Sequence, residues 1–295
     1  MRKIYSLLLF LALTLVEFTA QAQGFTTLFP YPQAPDTCTT LESRCNYSTQ
    51  HFWDHCEMGK PFVDSKDSLL LKAMNDYLSI MRQANVNVSL ASIRNLMFKA
   101  QANQPNFVKL MQFAEFLLYM NPAPVIDDVY LAFAQSAVDA SWLKKDMKEH
   151  YRQQIDGINA SKLGHVITSF PVQTATGSRQ ISEIPLDTAE IVLFFFTDDD
   201  SNSDIARTRL SADLGVNDLV SQGYTKVVNI YTGKNPKQFF ETARQYPGWV
   251  LVSAPEIYKK IDVRLLPSFY VLDRSLKIMN KNITVDDVKN AFNGN

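Results

Sequence analysis

The run Ile191-Val-Leu-Phe-Phe-Phe196 constrains this chain more than any other stretch. Six consecutive apolar residues, two β-branched and three aromatic, fit a strand buried on both faces, as central strands of parallel and mixed sheets are. The polar run after it, Thr197-Asp-Asp-Asp-Ser-Asn-Ser203, then opens a helix. Ser and Asp side chains accept hydrogen bonds from the free amides of a first helical turn. In an α/β sheet the carboxyl end of such a strand is where ligands and chemistry collect. Here that end offers carboxylates, hydroxyls and an amide, and no thiol.

The segments after it alternate in period. Ser203 to about Gln222 and Pro236 to Tyr246 read as helices, while Lys226–Tyr231 and Val250–Val252 read as short apolar strands. Ser268-Phe-Tyr-Val-Leu272 alternates and turns through Asp273-Arg-Ser into Leu276-Lys-Ile278, a hairpin. Thr284 caps a last helix through Phe292. Strands and helices in alternation, closed by a hairpin and a helix, predict an α/β domain with a mixed sheet.

Upstream the period is helical. Five stripes predict five amphipathic helices: Leu70 to Met81, Leu90 to Ala100, Phe107 to Leu118, Ile126 to Ala137 and Leu143 to Ile155. Pro105 suits a first helical turn, Asn121-Pro-Ala-Pro124 stops a helix, and Ser89 and Ser141 fit as N-caps. Short links between such helices make a bundle. Asp156 to Arg179, rich in Gly, Ser, Thr and Asn, reads as the boundary. The expected layout is therefore a leader over 1–22, a helical domain over 23–156, a linker and lead-in over 157–180, and an α/β domain over 181–295.

A length of 295 residues suits two domains, and a net charge of -1 gives no footprint for nucleic acid or an anionic membrane surface. Arg2 and Lys3, the apolar Leu7 to Val16, and Ala20-Gln21-Ala22 read as a secretory signal. The first cysteine, Cys38, lies too far downstream for lipid attachment, and no later segment is long and apolar enough to span a bilayer. A soluble, exported, periplasmic protein is expected. Three cysteines, Cys38, Cys45 and Cys56, allow three pairings in an oxidising compartment. Cys38 with Cys45 is preferred because the residues between them look like loop, while Cys56, beside Trp53, fits a buried small hydrophobe.

The C-terminal half resembles the thioredoxin-like fold. The strand Ile191–Phe196, the helix opening near Asp200, and Leu265-Leu266-Pro267-Ser268-Phe-Tyr-Val-Leu-Asp273 carry that resemblance. The last stretch looks like the family's strand that opens with a cis-proline. Leu163-Gly-His-Val166 with Phe170-Pro171 is similar to the lead-in of peroxiredoxin-like and cytochrome-maturation members. Gln50-His-Phe-Trp-Asp54 and the helices after it resemble the helical domain of unknown function, DUF5106-like, that precedes such a domain in exported Bacteroidota proteins.

The departure from the family is chemical. Redox members carry Cys-x-x-Cys where this chain has Asp200, Ser201, Asn202 and Ser203. A serine hydroxyl cannot replace a thiolate in disulfide exchange, since the thiolate is both nucleophile and leaving group. No cysteine follows Cys56 and no histidine follows His165, so the α/β domain lacks the commonest nucleophile and base.

Other patterns are weaker. Asp198-x-Asp200-x-Asn202 begins like a calcium loop, but Ser203 replaces its glycine and Arg209 stands at its twelfth position. Helix capping explains the same residues. His51, His55 and Cys56 have metal-ligand spacing without a second pair. Trp249, Tyr270, Phe239 and Phe240 read as core rather than pocket. No catalytic residue, metal or cofactor is expected.

The resemblance implies a groove between the helix end, Asp200 to Ser203, and the edge at Leu266 and Pro267, where a polypeptide pairs strand-like with the residue before the proline. A redox-inactive binding module for a polypeptide of the cell envelope is the first expectation. A thiol oxidoreductase using the N-terminal cysteines, and a purely structural envelope protein, stay open.

Overall fold

The computed structural model describes residues 27–293 apart from 122–125, 187, 189 and 243–245. The expected leader over 1–22 lies outside them. No described helix is long and apolar enough to cross a membrane. A helical N-terminal region precedes an α/β domain, and the chain divides into two compact units. The first runs to Ser92 and includes 102–106; the second holds 93–101 and everything from Phe107 onward. The expected boundary at 156 therefore does not mark the division. Helices from Phe107 to Ala160 belong to the same compact unit as the sheet.

In the first unit, helix α1 (Leu41–His51) starts at Thr40, whose hydroxyl accepts from the Ser43 amide while Ser43 Oγ accepts from the Thr40 amide. Such reciprocal bonds satisfy two free amides of the first turn. The stretch expected to be loop is thus helical, and Cys45 lies on α1. Helix α2 (Asp67–Met81) buries Leu70, Met74, Tyr77 and Met81, the four residues of its predicted stripe. Phe52 and Trp53 pack against Phe29 and Tyr77 as an aromatic cluster. The fully buried Asn106 side chain accepts from the Phe62 amide and donates to the carbonyls of Met58 and Lys60. It adds three side-chain bonds to a turn that has backbone bonds from the Met58 and Lys60 amides.

The remaining helices are α3 (Val86–Ala100), α4 (Gln104–Ala114), α5 (Asp127–Asp139) and α6 (Lys145–Ala160). Between α4 and α5, Glu115–Tyr119 forms one π-helical turn. The two expected serine caps are not used. Ser89 is buried inside α3, where Asn85 accepts from the Asn87 amide at the helix start, and α6 begins at Lys145, after Ser141.

The sheet has seven strands in the order β2-β1-β5-β4-β3-β6-β7. These are β1 (Pro171–Thr174), β2 (Gly177–Gln180), β3 (Glu190–Phe196), β4 (Thr225–Tyr231), β5 (Trp249–Ser253), β6 (Ser268–Asp273) and β7 (Ile278–Ile283). Strands β3, β4 and β5 are parallel, and β6 runs antiparallel to β3. The stretch expected as linker over 157–180 holds the end of α6 and the first two strands. Helix α7 (Ser201–Ser211) and helix α8 (Leu214–Ser221) replace the single helix expected there. Asp213 divides them by capping α8, its carboxylate accepting from the Val216 amide. Helix α9 (Pro236–Thr242) and helix α10 (Val285–Asn293) complete the domain. Thr284 and Asp287 cap α10 reciprocally, as the sequence predicts.

Strand β3 feeds two cores. Ile191, Leu193 and Phe195 enter one with Ile230, Val252 and Tyr270, while Val192, Phe194 and Phe196 enter the other with Leu210, Val216, Phe269 and Val288. Both sets are fully or nearly fully buried, which is why the strand reads as a continuous apolar run. Phe239 and Tyr270 are core residues, as expected.

Candidate functional site

Strands β3, β4 and β5 all end on one side of the sheet, and β6 begins there. Phe195 pairs with Ser268, so the chain enters β6 through Leu266-Pro267 directly beside the residue where β3 ends. The Leu266–Pro267 peptide is cis. Helix α7 starts just after β3, at the same end of the sheet. The topology therefore puts the helix start at Asp200, Ser201, Asn202 and Ser203 and the strand entry at Leu266 and Pro267 at the same end of the sheet.

The helix end is closed on itself. Asp200 is the N-cap, its carboxylate accepting from the amides of Asn202 at 3.1 Å and Ser203 at 3.0 Å. The buried Ser203 hydroxyl donates to the same carboxylate at 2.8 Å and lies 3.5 Å from the Thr197 amide. Ser201 and Asn202 face solvent. Asp198 accepts from the Tyr231 hydroxyl through both oxygens, at 2.9 and 3.0 Å. Burial and that carboxylate together push the Tyr231 phenol up from its ordinary value. Both aspartates of the calcium-like pattern are thereby committed to protein donors. No group of three or more metal-ligating side chains occurs among the described residues.

This arrangement makes Asp200 a structural residue. Asp200→Ala is expected to cost about 1 kcal/mol, the usual cost of a lost N-cap, because two amides and the Ser203 hydroxyl lose their acceptor. Urea unfolding of the two proteins measures it, and an unchanged midpoint would show that the cap is dispensable.

The opposite wall is apolar at its edge. The Leu266 side chain packs on the core, Leu265 is exposed, and the backbone of Leu266 makes no hydrogen bond among the described residues. Behind this edge lies a buried group of charges that the sequence reading did not single out: Asp127, Asp262, Arg264 and Lys281. Arg264 Nη2 lies 2.5 Å from Asp127 and 2.7 Å from Asp262, and Lys281 Nζ lies 2.7 and 2.9 Å from the same two carboxylates. The Arg264 guanidinium also donates to the Leu118 carbonyl and stacks over the Tyr119 ring at 4.6 Å. Burial alone would raise the Asp262 carboxyl, but Arg264 and Lys281 hold it below its ordinary value. Burial likewise opposes the charge on Arg264, and the two carboxylates hold its pKa above normal.

A period-2 reading of β7 puts Lys281 on the opposite face from the buried Ile278. Two register shifts between β6 and β7 turn it inward, as a bulge does by inserting an unpaired residue. No residue-type pattern marks that shift, so the charged group was not visible in the sequence.

Cys38, Cys45 and Cys56 are free thiols, and the preferred Cys38–Cys45 disulfide is not formed. The residues between them fold into the first turn of α1, leaving Cys38 in the turn ahead of Thr40. Cys56 lines a cavity of about 220 Å³ with His55, Phe62 and Val63. Burial, with Glu57 adding repulsion, pushes the Cys56 thiol up to about 12, so it is protonated at neutral pH. His51 is turned to Asp54 at 2.7 Å rather than to Cys56.

These features define a helical region followed by a thioredoxin-like α/β domain whose turn between β3 and α7 carries no thiol. The comparisons with known proteins agree on that architecture. Residues 15–161 match the family model of DUF5106, a domain of unknown function. A thioredoxin-like protein from Bacteroides caccae superposes with a TM-score of 0.74 at 14% identity, over 90% of this chain and 98% of that one. A domain of a possible thiol-disulfide isomerase from Cytophaga hutchinsonii matches 45% of this chain and 92% of its own, at 18% identity and a TM-score of 0.37. The thioredoxin domain of a thiol-disulfide oxidoreductase from Bacteroides vulgatus matches 45% and 96%, at 16% identity and 0.35. No curated protein matches the chain.

Proposed function

We propose that this protein is an exported, periplasmic, redox-inactive thioredoxin-like module that binds an extended polypeptide between the α7 N-terminus and the Leu266-Pro267 edge. The observation that carries the reading is the pairing of a self-satisfied Asp200–Ser203 cap with an unpaired Leu266 backbone. The first has no thiolate to attack a disulfide. The second offers a donor and an acceptor to an incoming strand, while the exposed Leu265 and half-buried Leu266 offer apolar contact. The protonated Cys56 thiol speaks against disulfide exchange through that residue. Export rests on the basic, apolar and small-residue order of the first 22 residues.

The test uses reduced, carboxymethylated α-lactalbumin, a permanently unfolded polypeptide. The protein is expected to bind it saturably, and Leu266→Asp, which sets a charge on the apolar edge, is expected to abolish binding while the fold is retained. Equal binding by the variant would remove the groove from consideration. In parallel the protein is expected to leave insulin disulfides intact in the presence of dithiothreitol. Measurable reduction would overturn redox inactivity.

A further inference from the structure

We propose that Arg264, held by Asp127, Asp262 and Lys281, is the positioning residue through which Leu118 and the first residue of α5, Asp127, set the Leu265-Leu266-Pro267 edge. The inference rests on the groove reading above for its functional meaning, and on bonding geometry for its substance. Arg264 is two residues from Leu266. Its side chain is 3% exposed, and the guanidinium takes the Leu118 carbonyl at 3.2 Å and the Asp127 carboxylate at 2.5 Å. Asp127 opens α5, so a change at the start of that helix is carried directly to the edge. Lys281, fully buried, neutralises the second charge of the two carboxylates. Two anions and two cations therefore balance inside the fold, which is the condition for keeping buried charges at all.

The backbone around the edge is fastened to the same group. The Asp262 amide donates to Ser161 Oγ, just past the end of α6, and the Asp262 carbonyl accepts from Asn282 Nδ2 and the Tyr270 hydroxyl. The Arg264 amide and Ser268 Oγ both donate to Asn282 Oδ1. Residues 262, 264 and 268 are thus pinned, while Leu265 to Pro267 project between them. Gly157 of α6 lies alongside Asp262, where an added Cβ would make ordinary van der Waals contact, 3.5 Å, with the Asp262 backbone. Helix α6 thus meets the stem of the edge at Asp262, and Arg264 ties the same stem to Leu118 and Asp127.

A single substitution in the group leaves an unpaired buried charge, so the test uses the paired variant Asp127→Asn with Arg264→Met in the whole chain. It removes one anion and one cation and keeps Asp262 with Lys281. Amide order parameters at Leu265 and Leu266 are read by nitrogen-15 relaxation, with those of β3 as an internal control. The rigid-backbone value of about 0.85 is expected in the native chain, falling below about 0.6 at Leu265 and Leu266 in the variant, with β3 unchanged. Affinity for carboxymethylated α-lactalbumin is expected to fall at least about tenfold, a change of about 1.4 kcal/mol. Arg264→Lys, which keeps the charge and loses the fork, is expected to lie between the two. Unchanged order parameters at Leu265 and Leu266 in a folded variant would overturn the positioning role. A loosened edge in a protein whose native form does not bind the probe would uphold positioning and reject the groove reading alone.

Discussion

Lys281→Met is expected to destabilise the sheet-containing unit by about 3–5 kcal/mol, the range found when one partner of a buried ion pair is removed. The substitution leaves Asp127 and Asp262 facing each other across Arg264 alone, with a net negative charge that falls partly on the fully buried Asp262. Urea unfolding should show a lower midpoint with an unchanged slope. A cost under about 1 kcal/mol would mean that water reaches the group. The same cluster fixes the direction of the acid response. The Asp262 carboxyl is held below its ordinary value, so the native state binds fewer protons than the unfolded chain between the two values. Its contribution is complete above the unfolded value near pH 4 and is lost as the pH falls through the folded value. Asp262→Asn should therefore flatten the dependence of stability on pH in that acidic window and leave the neutral region without slope from this group.

Phe194→Ala is expected to cost about 3–5 kcal/mol, the usual loss for emptying a buried aromatic site. Phe194 is fully buried in the central strand, stacked on Phe269 at 4.6 Å and 6° and on Phe196 at 5.2 Å. The position is flanked by β4 and β6 within the sheet and by the Phe196 and Phe269 rings on its own face. The melting temperature should fall by roughly 6–20 °C. Phe98→Ala serves as the control. That ring is 72% exposed, and the change should stay within about 0.5 kcal/mol. Similar shifts for the two would show that β3 is not the strand on which the domain is built.

The elements legible in advance are those whose side chains report on one environment at a time. Ile191 to Phe196 reads as a doubly buried strand because every residue in it meets a core. The stripe Leu70, Met74, Tyr77 and Met81 reads as a helix because all four face inward from α2. The helix start at Asp200 follows from its side-chain oxygens, while the break expected at Asn121-Pro-Ala-Pro124 falls largely outside the described residues. The misses have the opposite character. Helix α1 is polar on most of its surface, with Thr49 its one buried residue, so its period is faint, and it depends on the Thr40–Ser43 cap for its start. The β1–β2 hairpin is largely exposed, and its polar residues resemble linker.

The candidate site divides in the same way. Its missing thiols were legible from residue identity alone, because chemistry at a strand mouth depends on which atoms are present. That Asp200 and Ser203 bind each other, and that Asp198 is taken by Tyr231, depends on contacts between residues up to 33 positions apart. The charged group behind Leu266 is the extreme case, since Arg264 meets Asp127 across 137 residues. The sequence by itself determined the order of helical region and α/β domain, the central strand, the capped helix and the absence of a redox pair, since these follow from local period and atom type. Only the tertiary structure decided which charges are buried, which thiols stay free and what holds the Leu266 edge. Burial and pairing are properties of distances between remote residues, and a linear pattern carries no distances.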